Sequence, residues 1–380
     1  MNTTWSVICS AVKASFYNIP ISLPDNVDWE AVFAEAKKQA IASIVRNGLK
    51  NQLPPGLAMT WKVYSIQEIS RGVQLLEAQN ELTTLLDENH IFYTILKGTA
   101  SAIYYPEPGL RSMGDVDFWV SKEQLASAQE MLEKHGFVEI EGSDSRHLKL
   151  EKYNILFEMH RYFSSDERQN AVDHYIEDAE LVKRKIRDTE FWMLPELENG
   201  LVLLVHLRQH LYEGLGLRQV FDWMMYVRAC LDYQGWQKFR PYAKELGLER
   251  LALVATSLCR KYFGLDVDWC SNNDEVAEML MTNIIQSGNF GHTHGSGRNV
   301  ERVVVSIKRR GVFHYLQQAG EFNWRKTISS HPYLRPFAWL YQICRYIRQA
   351  KSSGRIGGTL KDDIKRSNER YELLKALELL

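Results

Sequence analysis

The chain has 380 residues, of which 45% are hydrophobic and 24% charged, and its formal net charge is −1. This composition excludes disorder of the whole chain, which needs low hydrophobicity and high net charge, and the length predicts two or three domains. The balanced charge argues against binding to nucleic acid, because neutralising a phosphate backbone usually takes a basic excess.

Cysteine usage and hydropathy bear on the cellular compartment. Five cysteines, an odd number with no CxxC pair, argue against a disulfide framework and against a cysteine zinc site. The first residues show no signal-peptide pattern, and no run of about 18 apolar residues occurs, so we expect no transmembrane helix. These features predict a cytoplasmic protein.

The first 88 residues have a helical pattern. Residues 28–49 predict one helix that is capped by Asp28 and ends on Gly48. The Leu53-Pro54-Pro55-Gly56 segment is a break, and a second long helix is predicted from about Met59 to Asn89. We therefore expect an N-terminal helical region over 1–88.

The pattern changes to alternating strands and helices over 89–168. HIFYTILKG and DVDFWV are predicted strands with a short helix between them, and residues 121–136 predict a helix capped by Ser121 and ending on Gly136. FVEI, HLKLEKY and ILFEMHRY predict further strands. We expect an α+β fold in which a small mixed sheet packs against helices.

From about residue 170 the pattern is helical again. The predicted helices are LENGLVLLVHLRQHLYEGLG, LRQVFDWMMYVRACL, GWQKFRPYAKELG and LERLALVATSLCRKYFG, with glycine stops. Residues 169–380 are therefore predicted to form a mostly helical C-terminal domain.

Three acids on predicted strands indicate a metal site. Asp115 and Asp117 are two residues apart, so both carboxylates point to one side of the strand, with Cα atoms roughly 7 Å apart. Glu158 lies between apolar neighbours on another strand, where a carboxylate needs a partner. Mg²⁺ prefers oxygen ligands and usually keeps substrate phosphates in its shell, and three carboxylates suffice for a two-metal site. Removing both aspartates should relieve repulsion and keep the fold.

Residues near the first strand suit phosphate binding. Gly98 and Thr99 lie where a strand gives way to a helix, so free backbone N–H groups, the helix dipole and the threonine hydroxyl favour a phosphate. Lys97 and Arg111 are cations nearby in sequence, and arginine suits bidentate phosphate contact.

The segment LKGTASAIYYPEPGLRSMGDVDFWV, with FEMH, HLRQH and LRQVFDW downstream, resembles the DNA-polymerase-β-like nucleotidyltransferase superfamily. More narrowly it is similar to a bacterial family of uncharacterised nucleotidyltransferases, over roughly residues 70–260. Thr99 stands where the superfamily has Gly or Ser, and the spacer to Asp115 is slightly longer.

The resemblance implies a minimal nucleotidyltransferase sheet flanked by two helical regions. It implies transfer of a nucleoside monophosphate from a nucleoside triphosphate to an unidentified small-molecule or protein acceptor, with Mg²⁺ or Mn²⁺ and release of pyrophosphate. Asp115 and Asp117 would hold both metals, and Glu158 the acceptor-side metal. The alternative is a nucleotide-binding regulatory or scaffold protein without turnover.

Several residues keep two interpretations. His160 either orients a carboxylate or contacts substrate, or it is a hydrogen-bonded core histidine. His206, Arg218 and Asp222 lie on helices that would close over the nucleotide, but Arg218 and Asp222 also fit an ordinary helix pair. The Gly/His-rich stretch 287–298 fits a mobile loop better than a metal site. Residues 333–351 fit peripheral membrane contact, a docked partner or a helix packed on its own domain.

Overall fold

The structure is a computed structural model. It describes residues 2–143, 146–164, 171–270, 273–288, 331–334, 337, 340–341 and 358–380. The chain divides into two compact units, residues 1–290 and residues 291–380. The predicted site residues all belong to the first unit.

Helices make up most of the described chain. In the first unit they are α1 (Thr3–Tyr17), α2 (Trp29–Lys38), α3 (Ala42–Leu49), α4 (Pro55–Glu88), α5 (Gly98–Ala102), α6 (Leu125–Lys134), α7 (Ala171–Glu177), α8 (Glu196–Glu213), α9 (Leu217–Cys230), α10 (Tyr233–Glu245), α11 (Glu249–Phe263) and α12 (Asp274–Ser287). In the second unit the described helix is α13 (Gly358–Ala376).

Seven strands form one mixed sheet in the order β3-β4-β5-β2-β1-β7-β6. Its central strand β2 pairs antiparallel with β1 and parallel with β5, and β1 pairs parallel with β7. The sheet and its helices confirm the predicted α+β class. The strands are β1 (Tyr93–Leu96), β2 (Asp115–Val120), β3 (Val138–Glu139), β4 (His147–Lys152), β5 (Ile155–His160), β6 (Val182–Ile186) and β7 (Thr189–Met193).

The two faces of the sheet differ in polarity because side chains alternate along each strand. Val116, Phe118 and Val120 of β2 join a buried apolar cluster with residues of α4 and α6. Asp115 and Asp117 alternate with them, so they lie on the opposite face. The same alternation on β5 buries Phe157 in the cluster and leaves Glu158 and His160 on the face of the aspartates.

The β6–β7 hairpin is an exception to the helical pattern predicted from about residue 170 onward. Its outer strand, Val182–Ile186, has the sequence VKRKI and lies at the edge of the sheet. Charged edge strands discourage pairing with other chains, and they also lack the apolar alternation by which strands are recognised. The hairpin extends the sheet past residue 168, and the three-part division at 88 and 168 stays a prediction.

Two predicted helix boundaries are also wrong. Asp28 does cap α2 by accepting a hydrogen bond from the backbone N–H of Ala31, but the chain breaks at Ala40, which has φ 55°, and α3 follows as a separate helix. Ser121 does not cap α6, because its backbone carbonyl accepts from Gln124 in a turn and the helix begins at Leu125.

The remaining predictions about the C-terminal part fall largely outside the described residues. This holds for most of the loop at 287–298 and for most of residues 333–351. Among the described helices, none is long and apolar enough to span a membrane.

Candidate functional site

The turn between β1 and α5 has unusual backbone geometry. Lys97 has φ 50° and ψ −144°, and Gly98 follows with φ 40°. A non-glycine residue rarely adopts such a conformation, which costs on the order of 1–3 kcal/mol and is found most often at functional sites. This backbone directs the buried Lys97 side chain to Asp117 on the neighbouring strand.

Strand register brings the predicted acids to one region. Asp117 is opposite Leu96 on β1 and opposite Glu158 on β5, so its carboxylate lies in the middle of the face. Asp117 Oδ1 is 2.7 Å from Lys97 Nζ and 2.8 Å from His160 Nε2. This contact fits both a histidine that orients a carboxylate and a hydrogen-bonded core histidine, so the role of His160 stays a prediction.

Charge pairing sets the ionisation of these groups. Burial alone would raise the pKa of Asp117, but Lys97 and the hydrogen bond from His160 lower it below the ordinary value. Burial alone would likewise lower the pKa of Lys97, but Asp117 and Asp115 raise it. Asp117 and Lys97 thus stay charged and paired.

Asp115 has a different environment from Asp117. Burial, followed by repulsion from Asp117, raises the pKa of Asp115 from its ordinary 3.8 to about 6, although Lys97 and Arg218 act in the opposite direction. Glu158 also repels it, so the three acids share one electrostatic environment. The charge of Asp115 is therefore held less firmly than that of Asp117.

The atoms best placed to hold a metal come from Asp117, Glu158 and His160. One ligand atom from each lies within 4.8 Å of the other two. Glu158 Oε1 is 3.1 Å from Lys149 Nζ on β4, and Glu158 Oε2 is 4.0 Å from His160 Nε2. Asp115 is not part of this group, so the predicted ligand set of Asp115, Asp117 and Glu158 stays a prediction.

The predicted phosphate contacts fall into two kinds. Gly98 begins α5 and has an open approach, since a Cβ placed on it would meet only the Asp115 carbonyl oxygen, at 3.7 Å. The Thr99 hydroxyl, however, is buried and donates to Gln79 Oε1 of α4 at 2.8 Å. Thr99 therefore has its backbone N–H, rather than its hydroxyl, to offer to a phosphate.

Arg111 makes a structural contact that the sequence did not indicate. Its Nε and one terminal nitrogen donate to the two carboxylate oxygens of Asp222, both at 2.7 Å, and Tyr105 Oη donates to the same carboxylate at 2.9 Å. All three side chains are buried. The bidentate partner predicted to be a phosphate is thus a carboxylate of α9.

Two further predicted residues lie on α9 and α8. Arg218 of α9 donates to the Ser112 carbonyl oxygen at 3.5 Å, just before β2. On α8, His206 and His210 are one helical turn apart, and their Nε2 atoms are 2.9 Å apart. A role of Arg218 and His206 toward the nucleotide stays a prediction.

Phe163 is a residue of this site that the sequence did not indicate. Its backbone N–H donates to Asp173 Oδ1, and its carbonyl oxygen accepts from Gln209 of α8. Its ring centroid is 5.5 Å from Lys97 Nζ and 5.8 Å from the ring of His160. Phe163 thus ties α7 and α8 to the Lys97–Asp117 pair, a role for which an isolated phenylalanine carries no sequence signal.

A row of buried polar atoms crosses the sheet beside the acids. Thr94, Trp119 and His160 are register neighbours on β1, β2 and β5. Thr94 Oγ1, Trp119 Nε1 and His160 Nδ1 are buried and have no hydrogen-bond partner among the described residues. Buried groups of this kind are normally completed by water or a ligand.

Comparison with known proteins gives a matching family and several solved structures. The model of the family described as uncharacterised nucleotidyltransferase matches residues 25–264. A solved structure of an antigenic nucleotidyltransferase-like protein from Paracoccidioides brasiliensis is 16% identical, covers 46% of this chain and 93% of its own, and aligns with a TM-score of 0.31. Comparison with curated proteins found no match. Because the family match spans more than half of the 380 residues, the chain belongs to the uncharacterised nucleotidyltransferase family.

Proposed function

We propose that this protein transfers a nucleoside monophosphate from a nucleoside triphosphate to an acceptor and releases pyrophosphate. The observation that carries the proposal is the register of Asp117 with Glu158 on adjacent central strands, next to Lys97 and His160. The family match supports the same reaction class. The net charge of −1 favours a small-molecule or protein acceptor over nucleic acid.

The donor set fits a divalent cation. Asp117 and Glu158 contribute carboxylate oxygens and His160 a nitrogen within 4.8 Å of one another, and Asp115 is a further carboxylate on the same face. Carboxylates suit Mg²⁺ and Mn²⁺, and the nitrogen donor favours Mn²⁺ of these two. When bound, the metal would neutralise phosphate charge and stabilise the attacking and leaving oxygens.

The chain's own residues would orient the reactants. His160 and Lys97 both contact Oδ1 of Asp117, which would fix the direction of this carboxylate before substrate arrives. The backbone N–H groups of Gly98 and Thr99 are the proposed phosphate contacts at the start of α5. Glu158, beside Lys149, is the carboxylate proposed to accept the proton of the acceptor.

The test is pyrophosphate release from each of the four ribonucleoside triphosphates with Mg²⁺ or Mn²⁺ and pools of candidate acceptors. Asp117→Asn should abolish release. The control is Glu190→Gln, which removes an exposed strand carboxylate that pairs with a lysine outside the site and should leave release unchanged. Full activity of Asp117→Asn would refute the proposed role of the acid.

A second candidate is nucleotide binding without turnover, as in a regulatory or scaffold protein. It is favoured by one observation: Asp117 is already compensated by Lys97 and His160, so the site is stable as a binding pocket without reacting. Calorimetry that detects metal-dependent nucleotide binding, together with no pyrophosphate release from any pool, would support this candidate.

A further inference from the structure

Three buried polar side chains form a row across the sheet, on the face that carries the acids. Trp119 is in register with Thr94 on β1 and with His160 on β5, so the Cβ atoms of neighbours in the row are about 5 Å apart. Thr94 is 0%, Trp119 2% and His160 7% exposed. Among the described residues, nothing bonds to Thr94 Oγ1, Trp119 Nε1 or His160 Nδ1. Because unmade buried hydrogen bonds are costly, the row suits a polar group that the chain itself does not supply.

The row and the proposed phosphate contacts lie on opposite sides of the acids. β1 and β2 are antiparallel, with Leu96 opposite Asp117. Beyond Leu96 the chain reaches Gly98, where an added Cβ would meet the Asp115 carbonyl oxygen. The row lies in the other direction, two residues beyond Asp117 on β2 and two beyond Glu158 on β5, which is about 7 Å along each strand. In an in-line displacement the attacking and leaving oxygens lie on opposite sides of the phosphorus, so the row is on the side of the attacking group.

The hydrogen-bonding groups of the row match a hydroxyl. Trp119 Nε1 only donates, whereas Thr94 Oγ1 both donates and accepts. In the neutral imidazole of His160, Nδ1 accepts while Nε2 donates to Asp117. If Nε2 instead binds a metal, Nδ1 donates. A hydroxyl donates and accepts, so it can bond to the row in both states.

Charged groups match the row less well. An ammonium group has only protons to offer, and the indole N–H of Trp119 cannot accept them. An anionic group would lie beside the carboxylates of Asp117 and Glu158, and the row itself contains no lysine or arginine to offset this repulsion. The row therefore selects for an uncharged group.

The row reaches the protein surface at Phe92. The ring of Phe92 meets the ring of Trp119 edge-on, with centroids 6.4 Å apart and planes at 89°, and Phe92 is 47% exposed. An aromatic surface beside a few polar groups is typical of small-molecule sites. It suits the C–H groups of a molecule that carries several hydroxyls on a carbon skeleton.

We propose that Thr94, Trp119 and His160 form the acceptor subsite, and that the group it takes is an uncharged hydroxyl of a sugar or polyol. This rests on the proposed function and adds the place and chemical class of the acceptor. The hydroxyl oxygen would form a bond to the α-phosphorus of the triphosphate. The bond from that phosphorus to the bridging oxygen would break, pyrophosphate would leave with its electron pair, and the hydroxyl proton would pass to Glu158.

The first test is NMR of the tryptophan indole N–H groups of the full chain in Mg²⁺, with Trp119→Phe identifying the resonance of Trp119. The uncharged probes are glycerol and myo-inositol, and the charged probes are glycerate and aminopropanediol, which match glycerol in size. Glycerol or myo-inositol should shift the Trp119 resonance, and the charged probes should shift it less. No shift with any probe would mean that the row holds water only. That result, or a shift no smaller with the charged probes, would overturn the proposal.

The second test removes one hydrogen-bonding group at a time. Trp119→Phe loses the indole N–H, and Thr94→Val loses the hydroxyl at nearly constant shape. Each should raise the KM for glycerol as acceptor in pyrophosphate release by about 3- to 10-fold, with the KM for the triphosphate unchanged. The control is Thr189→Val, since the hydroxyl of this buried threonine on β7 donates to the Leu76 carbonyl oxygen at 3.3 Å. It should leave both KM values unchanged, whereas an unchanged acceptor KM in Trp119→Phe and Thr94→Val would refute the subsite.

Stability gives a readout that requires no turnover. Thr94→Val should keep or raise the melting temperature, because among the described residues its hydroxyl has no partner to lose, whereas Thr189→Val should lower it. An equal fall in both variants would make Thr94 a structural residue and overturn the proposal. Pyrophosphate release separates this proposal from the proposed function. A shift of the Trp119 resonance without release would refute the transfer reaction alone, and release that is insensitive to both row variants would refute the subsite alone.

Discussion

At the scale of single residues, Asp115 and Asp117 differ although they are two positions apart on one strand. Asp117 is held by Lys97 and His160 at hydrogen-bond distance, whereas burial and repulsion weaken the charge of Asp115. The expectation that removing an acid relieves repulsion therefore applies to Asp115. It does not apply to Asp117, because Asp117 is the partner in a buried ion pair.

Substitution of each aspartate should separate these roles. Asp117→Asn leaves the buried Lys97 without its partner, and we expect the free energy of unfolding to fall by about 3–5 kcal/mol. Asp115→Asn should leave it unchanged or raise it, because it removes a repelled, buried charge. Urea denaturation in EDTA measures both. Equal losses in the two variants would show that Asp115 is also a structural ion-pair partner.

The raised pKa of Asp115 predicts a pH dependence with a definite sign. The folded state binds this proton more tightly than the unfolded chain, so the wild type loses stability relative to Asp115→Asn as the pH rises from 3.8 to about 6. The loss is at most about 3 kcal/mol, at about 1.4 kcal/mol per pKa unit. Unfolding of both proteins in metal-free buffer across this range checks it, and a difference that is flat with pH would contradict the assigned pKa.

At the scale of elements, the Arg111–Asp222 pair joins the segment before β2 to α9, whose Arg218 also donates to the Ser112 carbonyl oxygen of that segment. Asp222 also accepts from Tyr105, so the carboxylate is shared by two donors in a buried place. The pair holds the covering helix to the sheet, and phosphate binding by Arg111 is not needed to explain it.

Breaking this pair should cost stability rather than only affinity. Arg111→Met or Asp222→Asn should each lower the free energy of unfolding by about 3–5 kcal/mol, because the remaining charge is buried. Glu249→Gln, which breaks the more exposed Arg240–Glu249 pair, should cost less than about 1 kcal/mol. Chemical denaturation compares them. A stable Arg111→Met that loses only nucleotide affinity would restore Arg111 as a phosphate ligand.

Helix packing gives a second prediction at this scale. Gly48 of α3 crosses α1 so closely that an added Cβ would lie 1.9 Å from the Ala11 carbonyl oxygen. Gly48→Ala should therefore lower the free energy of unfolding by about 1–3 kcal/mol or more. Gly72→Ala in α4, where a Cβ meets nothing within 4 Å, should raise it by about 0.5–1 kcal/mol. Thermal unfolding of the pair tests the crossing, which would be refuted if both substitutions stabilised the protein.

At the scale of the whole molecule, the charges of 46 basic and 47 acidic residues nearly cancel. Three basic residues of the candidate site are likewise paired with acids. Lys97, Arg111 and Lys149 each pair with an acid. A triphosphate would bring several further negative charges, so we expect its binding to need added positive charge from metal.

Nucleotide and metal should therefore stabilise the protein together. A triphosphate with Mg²⁺ or Mn²⁺ should raise the melting temperature more than the sum of the two separate effects. A ligand at 100 times its Kd adds about 2.7 kcal/mol to the free energy of unfolding. EDTA should abolish the nucleotide effect. Thermal shifts of the full chain measure it, and the same increase with nucleotide in EDTA would show that binding does not require metal.

The sequence by itself determined the elements whose signals are local. Alternating apolar residues identified β2 and β5, the cap at Asp28 identified the start of α2, and Asp115, Asp117 and Glu158 were recognisable because acids on otherwise apolar strands need a chemical reason.

Only the tertiary structure decided which groups face one another. The partner of Asp222 is Arg111, which is 111 residues away in the chain, and a local pattern cannot encode such a distance. The same reason applies to the ion pair of Lys97 with Asp117, to the contact of Phe163 with α8 and to the position of β6 at the edge of the sheet. In each case the energy comes from burial and ion pairing across elements, and these depend on how the chain packs rather than on neighbouring residues in the sequence.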